Sequence, residues 1–241
     1  MFIKLYPNRN IINNVIQKIK YGDGHHKKQP FICLSLNDII TNKQHLNSLK
    51  NSFNKLEIDQ YLENNNPPKR LRKYTSYNIS INSDYYIVNN NNSNNFIQNV
   101  SDTRSKPRIF SPIDNIHIYS TFMMDLINNT TTIVKHFDPY IREIKIDVHQ
   151  VRNIIYPNSS STNSPEGLHR DGADYIISAL VLNKDNVKGG ISILKNYDKS
   201  ELFKVQLNNN QGIFQKDTDL WHTITPMKCI DSNYLGYRDI I

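Results

Sequence analysis

The sequence predicts an α+β fold that is mainly β, with N-terminal helices packed outside a C-terminal jelly-roll core, and three observations carry that expectation. Across 143–152 apolar and polar residues alternate: Ile144, Ile146 and Val148 share one face, Lys145, Asp147 and His149 the other. That is the period of a strand. Further on, short apolar runs recur between turn residues at 174–182, 190–194, 202–207, 212–215, 220–225 and 237–241. Many short strands at near-regular spacing belong to sandwiches and closed barrels. Before residue 140 much of the apolar spacing is helical instead.

Asn10 would cap a first helix bearing Ile11, Ile12, Val15, Ile16 and Ile19. A second begins near Ser35 and carries Ile39, Ile40, Leu46, Leu49, Phe53 and Leu56, and Pro67-Pro68 closes that region. Residues 74–88 are rich in Tyr and Ile and predict strands, whereas the Asn-rich run 89–95 predicts a surface loop. A third helix, 120–137, carries Phe122, Met123, Leu126, Ile127, Ile133, Val134 and Phe137, and its Thr130-Thr131-Thr132 run weakens the middle. The expected organisation is one domain over 1–241, with a helical and mixed part at 1–140 and the jelly-roll core at 141–241.

The 241 residues are 38% hydrophobic, enough apolar surface to bury a core, which excludes a wholly disordered chain. The formal net charge of +7 points to acidic partners. That charge is scattered, however, and its densest stretch is Lys69, Arg70, Arg72 and Lys73, followed by 25–28. No zinc-finger spacing or RNA-recognition signature accompanies it, so nucleic acid is a disfavoured partner. Cys33 and Cys229 form no CxxC, which fits a reducing compartment. The opening residues lack the apolar core of a signal peptide and no run is long enough to span a membrane, so the expected location is cytoplasmic, with no membrane partner.

The sharpest local pattern is Glu166-Gly167-Leu168-His169-Arg170-Asp171-Gly172. In extended chain, residues two apart project to the same face, so His169 and Asp171 would point together; on a helix they would diverge by roughly 200°. A second imidazole, His222, stands in another expected strand, Leu220-Trp221-His222-Thr223, and a jelly roll brings such strands side by side. Two imidazoles and one carboxylate on one face match the facial triad that holds non-haem Fe(II). Three protein ligands leave positions for a 2-oxo acid, chelating through carboxylate and keto oxygens, and for O2. Arg238, on the last expected strand, suits the distal carboxylate of such a cosubstrate through a bidentate guanidinium. Each residue alone has an ordinary reading: a loop histidine, a turn aspartate before Gly172, a core histidine beside Trp221, an arginine paired with Asp239. Their joint occurrence in this order carries the metal reading.

These segments resemble the 2-oxoglutarate/iron dioxygenase family that includes bacterial free-amino-acid hydroxylases of the isoleucine 4-hydroxylase type. The resemblance rests on 166–174, on Val187-Lys188-Gly189-Gly190-Ile191-Ser192, on Trp221-His222-Thr223-Ile224-Thr225-Pro226 and on Gly236-Tyr237-Arg238-Asp239. More loosely, Arg70-Leu71-Arg72-Lys73-Tyr74 and His149-Gln150-Val151-Arg152 look like strands ahead of the metal motif. The resemblance implies a double-stranded β-helix, a jelly roll of the cupin kind. It implies iron ligation by His169, Asp171 and His222, a cosubstrate clamp at Arg238, and the cofactors Fe(II), 2-oxoglutarate and O2.

By the same resemblance the substrate is a small molecule, a free amino acid among the candidates. Arg152, Gln150 and Arg72 are the expected substrate contacts, because a carboxylate substrate needs a cationic partner. His149 shares a strand face with Asp147, and a structural role is its expectation. Two alternatives remain open at this point. One is the same oxygenase chemistry on nucleic acid or a protein side chain, supported only by the basic balance. The other is a non-catalytic jelly-roll binding module, which the complete set of ligand residues argues against.

Overall fold

The structure is a computed structural model and describes residues 2–7, 15, 30–62 and 66–241. Of the expected first helix only Val15 falls among these, in a helical position and buried; the rest of that expectation lies outside the described residues. So does the basic stretch 25–28.

Sixteen strands are described. The first nine are β1 (Phe2–Leu5), β2 (Phe31–Ser35), β3 (Glu57–Ile58), β4 (Arg70–Ile81), β5 (Tyr86–Asn90), β6 (Asn95–Phe96), β7 (Arg108–Ile109), β8 (Glu143–Ile155) and β9 (Tyr175–Asp185). They are followed by β10 (Val187–Gly189), β11 (Ile191–Lys195), β12 (Glu201–Gln206), β13 (Gln211–Lys216), β14 (Trp221–Ile224), β15 (Met227–Cys229) and β16 (Gly236–Ile240). The major sheet runs β1-β5-β4-β8-β16-β9-β13-β2, with β3 beside β4. A smaller sheet, β12-β11-β14, and the pair β10-β15 complete the roll. The strand pairs are antiparallel throughout. The major sheet therefore draws β1 to β5 from the first ninety residues as well as strands from the later part of the chain.

Two apolar layers flank that sheet. Between it and the smaller sheet lie Val151, Ala179, Val181, Ile213 and Ile240, packed against Leu194, Leu207 and Leu220. On its other face Tyr77, Ile79, Val88, Leu180, Leu182 and Phe214 meet the helices. These are α1 (Leu36–Ile39), α2 (Leu46–Ser52), α3 (Asn115–Ile118) and α4 (Thr121–Phe137). Helices outside a jelly-roll core are thus what forms.

Local chemistry explains where elements start and stop. Ser120 caps α4, accepting from Met123 N at 3.3 Å, and Lys135 and His136 sit in its last turn, where cations suit the helix dipole. The Thr run does not break it, because Thr131 is fully buried and Thr132 donates to Asn128 O at 2.9 Å; packing overrides propensity. The second expected helix is divided. Ser35 and Asp38 form a capping box over α1, but Asp125 then accepts from Thr41 N at 2.8 Å and Asn42 N at 3.1 Å, turning the chain before α2. The Asn-rich run is not one surface loop. Asn89 and Asn90 end β5, with Asn90 buried and donating to Thr75 Oγ1 at 2.7 Å, while Asn95 opens β6. In the irregular segment between them Asn92 stands at φ 49°, a conformation Asn tolerates.

Candidate metal centre and its pocket

His169 and His222 lie directly opposite each other in an isolated antiparallel bridge. Each backbone N–H donates to the other residue's carbonyl, at 3.0 and 2.9 Å, and the ring centroids stand 4.3 Å apart. His222 reaches this place on β14, held by pairing with β11. Asp171 follows His169 two residues on, and one ligand atom from each of His169, Asp171 and His222 lies within 4.8 Å of the others. Gly172 makes the approach possible. Its φ is 78°, and a Cβ there would sit 2.2 Å from Asn99 O.

Ring orientation fits a cation. His169 Nδ1 lies 2.9 Å from Gly167 O, and His222 Nδ1 faces the Gln215 side-chain amide at 3.3 Å and Asp217 Oδ1 at 3.6 Å. Both Nε2 atoms turn toward Asp171, at 3.7 Å from Oδ1 for His169 and 3.4 Å from Oδ2 for His222. An imidazole that gives its Nδ1–H to an acceptor presents Nε2 to a metal. Two nitrogens and one carboxylate are the donor set suited to Fe(II) with open positions.

The electrostatics say the same. Burial pushes the Asp171 carboxyl up, but the hydrogen bond and charge of His222, with His169 and Arg104, hold it well below the usual carboxylate range. Burial pushes His222 down, yet Asp171 and Asp217 outweigh it and raise the imidazole to about 9. Without a metal this site stabilises a proton, and a divalent cation would take the proton's place.

Several residues that the sequence did not single out support the ligands. Asp217, almost fully buried, accepts from Asp171 N at 2.8 Å and Gly172 N at 2.9 Å with Oδ2 while Oδ1 faces His222. Gln98 donates to Asp171 Oδ1 at 3.0 Å and accepts from Arg108. Arg104 approaches Glu166 at 3.4 Å and Asp171 at 3.8 Å. Gln98, Arg104 and Arg108 all belong to the segment 95–110 that crosses over the site. Nothing local in the sequence marks them: Asp217 stands among Gln215, Lys216, Thr218 and Asp219, where an acid does not stand out.

A cavity of about 890 Å³ opens onto the triad, lined also by Arg72, Arg108, His149, Ser192 and Arg238. Arg238 is 1% exposed, and neither terminal nitrogen of its guanidinium has a hydrogen-bond partner among the described residues. Burial lowers its pKa to about 10, still far above neutrality. A buried cation with two idle donors fits an incoming carboxylate.

Arg72 lines the same cavity, but Arg152 and Gln150 do not. Arg152 makes a two-pronged pair with Asp239 at 2.6 and 2.8 Å and donates to Asn54, and Gln150 donates to Ser52 at 2.6 Å. Strand parity explains the difference: Tyr74 and Arg72 pair with His149 and Val151 across β4 and β8, leaving Gln150 and Arg152 on the alternate face beside α2. The basic cluster is likewise turned inward. Arg70 pairs with Asp59 at 2.7 Å and Lys73 with Asp114 at 2.6 Å, and both basic residues are buried.

A rolled antiparallel sheet that gathers two imidazoles and a carboxylate at the mouth of an arginine-lined cavity defines a non-haem metal enzyme of the oxygenase kind. The profile of the 2OG-Fe dioxygenase family matches residues 50–241, and the chain belongs to that family, whose members are Fe(II)- and 2-oxoglutarate-dependent and use O2. Solved structures share the fold. A bsmA homolog from Methylobium petroleophilum PM1 is 17% identical at a TM-score of 0.76, over 94% of this chain and 89% of that one. IDO from Bacillus thuringiensis is 20% identical at 0.69, over 88% and 87%. The Fe(II)/α-ketoglutarate-dependent dioxygenase TqaL is 14% identical at 0.68, over 96% and 85%. Comparison with curated protein sequences gives no match. No helix among the described residues is long and apolar enough to cross a membrane.

Proposed function

We propose that His169, Asp171 and His222 hold Fe(II), that Arg238 binds the distal carboxylate of 2-oxoglutarate, and that the enzyme hydroxylates a small molecule, with free amino acids the first class to test. The observation that carries this reading is the shared space between the three ligand atoms, within 4.8 Å of one another, opening on the cavity that also contains Arg238.

When bound, iron with 2-oxoglutarate and O2 would supply an oxidant able to remove hydrogen from an unactivated C–H bond, 2-oxoglutarate losing CO2 to become succinate, with one oxygen atom entering the product and the other the succinate. The chain's own residues do the rest. Asp217 and Gly167 O orient the imidazoles, Gln98 steadies one oxygen of Asp171, and Arg238 orients the cosubstrate.

The small-molecule reading is favoured over nucleic acid by the placement of the basic cluster. Arg70 and Lys73 are themselves buried and spent on ion pairs with Asp59 and Asp114, which leaves little of the densest charge of the sequence as a surface for phosphates. The test is a metabolite library incubated anaerobically with Fe(II), 2-oxoglutarate and protein, then exposed to oxygen, scored for succinate and for products heavier by one oxygen. Activity on small molecules that His169→Ala and Asp171→Ala both abolish is the expected result. Full turnover in both variants would rule out the ligand assignment, and turnover only on salt-sensitive RNA or DNA complexes would rule out the substrate class.

A further inference from the structure

The strap formed by β6, β7 and the segment 97–107 between them brings aromatic and cationic side chains to the cavity beside the candidate metal ligands. Phe96 and Phe110 pack edge-on against the His149 ring, with centroids 4.4 and 6.0 Å away, and Tyr74 lies 4.9 Å from it. Over this wall stand two guanidinium groups, Arg72 above Phe110 and Arg108 above Phe96, each with its central carbon 5.0 Å from the ring centre.

Neither arginine is satisfied. Arg72 makes no hydrogen bond among the described residues, its Nε is buried without a partner, and its carboxylate approach is Asp59 at a long 3.6 Å. Asp59 gives its short contact, 2.7 Å, to Arg70. Arg108 donates to Gln98, while its own Nε is also buried and unpartnered. His149 Nδ1 is a third unpartnered atom of the same wall, and burial with both arginines nearby holds that imidazole neutral. Buried guanidinium nitrogens without hydrogen-bond partners are costly, and a ligand oxygen that accepts from them relieves that cost.

We propose that the strap builds an anion subsite beside the metal, in which Arg72 and Arg108 together hold the carboxylate of a small substrate against the rings of Phe96 and Phe110. The subsite rests on the oxygenase reading for its purpose but not for its chemistry. A flat carboxylate matches guanidinium edges left free when the arginine faces lie on aromatic rings. Arg238 belongs to β16 and carries its own idle nitrogens, so cosubstrate and substrate carboxylates have separate cations. The strap is fixed to the metal motif by Gln98 on Asp171 and by Asn99 packed on Gly172, which sets the held group at a constant distance from the ligands.

The test uses the metal-free protein and four probes: benzoate, 4-methylpentanoate and the corresponding amides, followed by saturation-transfer NMR. Carboxylates are expected to bind and amides not. Arg72→Met and Arg108→Met should each weaken carboxylate binding at least tenfold, Arg108→Lys should retain part of it, and Arg238→Met should leave one carboxylate site intact. Circular dichroism and melting separate a misfolded variant from a discharged site. Equal binding of amides, no binding of either carboxylate, or loss only in Arg238→Met would overturn the subsite. A visible charge-transfer band when wild type receives Fe(II) and 2-oxoglutarate anaerobically tests the oxygenase reading separately.

Discussion

Asp217 holds His222 and the backbone of Asp171 at once: one carboxylate oxygen stands 3.6 Å from His222 Nδ1 and the other accepts from Asp171 N at 2.8 Å. Two candidate ligands that are distant along the chain thus share one buried acid. Outer partners of this kind are worth about 10- to 100-fold in metal affinity. Asp217→Ala should weaken Fe(II) binding by about that factor, and Asp217→Asn by less because the backbone acceptor survives. Anaerobic Fe(II) titration measures both, and unchanged affinity in the Ala variant would remove Asp217 from the site.

Removal of Arg238 should act on the cosubstrate. Two charge-assisted hydrogen bonds are worth about 1.5–3 kcal/mol each. Arg238→Met is expected to weaken 2-oxoglutarate at least 100-fold while Fe(II) affinity stays within about threefold. Spectral titration of the Fe(II) protein with 2-oxoglutarate gives the ratio.

Proton and metal should compete for His222. Its folded value, about 9, lies above the ordinary 6.5, so the bound proton stabilises the metal-free fold fully below pH 6.5, and that contribution is lost as pH rises through about 9. Metal requires the neutral ring. Apparent Fe(II) affinity should therefore climb roughly tenfold per pH unit up to about 9 and then level off. A flat profile between pH 7 and 9 would contradict the proton's place in the site.

Arg152 should matter for folding and not for substrate. Breaking a buried pair with one partner left behind costs about 3–5 kcal/mol. Arg152→Ala, which strands the buried Asp239, is expected to lower stability by about 3 kcal/mol in urea unfolding, with KM for the substrate identified by the library screen unchanged in the folded fraction.

Gly172→Ala should be worse than an ordinary surface change. The added methyl would meet Asn99 O at 2.2 Å, backbone against backbone, at a positive φ. A loss of about 2–4 kcal/mol or detachment of the strap follows, seen as a lower Tm together with faster proteolysis near 95–110.

The parts of this molecule that follow from near neighbours were legible in the sequence. The alternation at 143–152 announced β8, the apolar spacing across 120–137 announced α4, and the spacing of His169 and Asp171 called for extended chain. The alternation of side chains along β8 was legible too, but not which phase faces the cavity. Gln150 and Arg152 lie one position out of phase with His149 and Val151, and only the pairing of β8 with β4 tells which phase faces the cavity. Arg108, Gln98 and Asp217 had no local signature, because their roles come from a strap and a turn that reach the ligands only after the sheet has closed. The short pair β10-β15 went unseen for the same reason: three residues carry no period, and long-range pairing alone makes them strands.

The position of β16 between β8 and β9 carries a consequence for biosynthesis. Until residues 236–240 have left the ribosome, β8 and β9 have no strand to join them, and the major sheet can exist only as two halves with open edges. Those edges would be sticky while they wait. Arg238 enters with the joining strand, so its buried guanidinium reaches the cavity only when the sheet is whole.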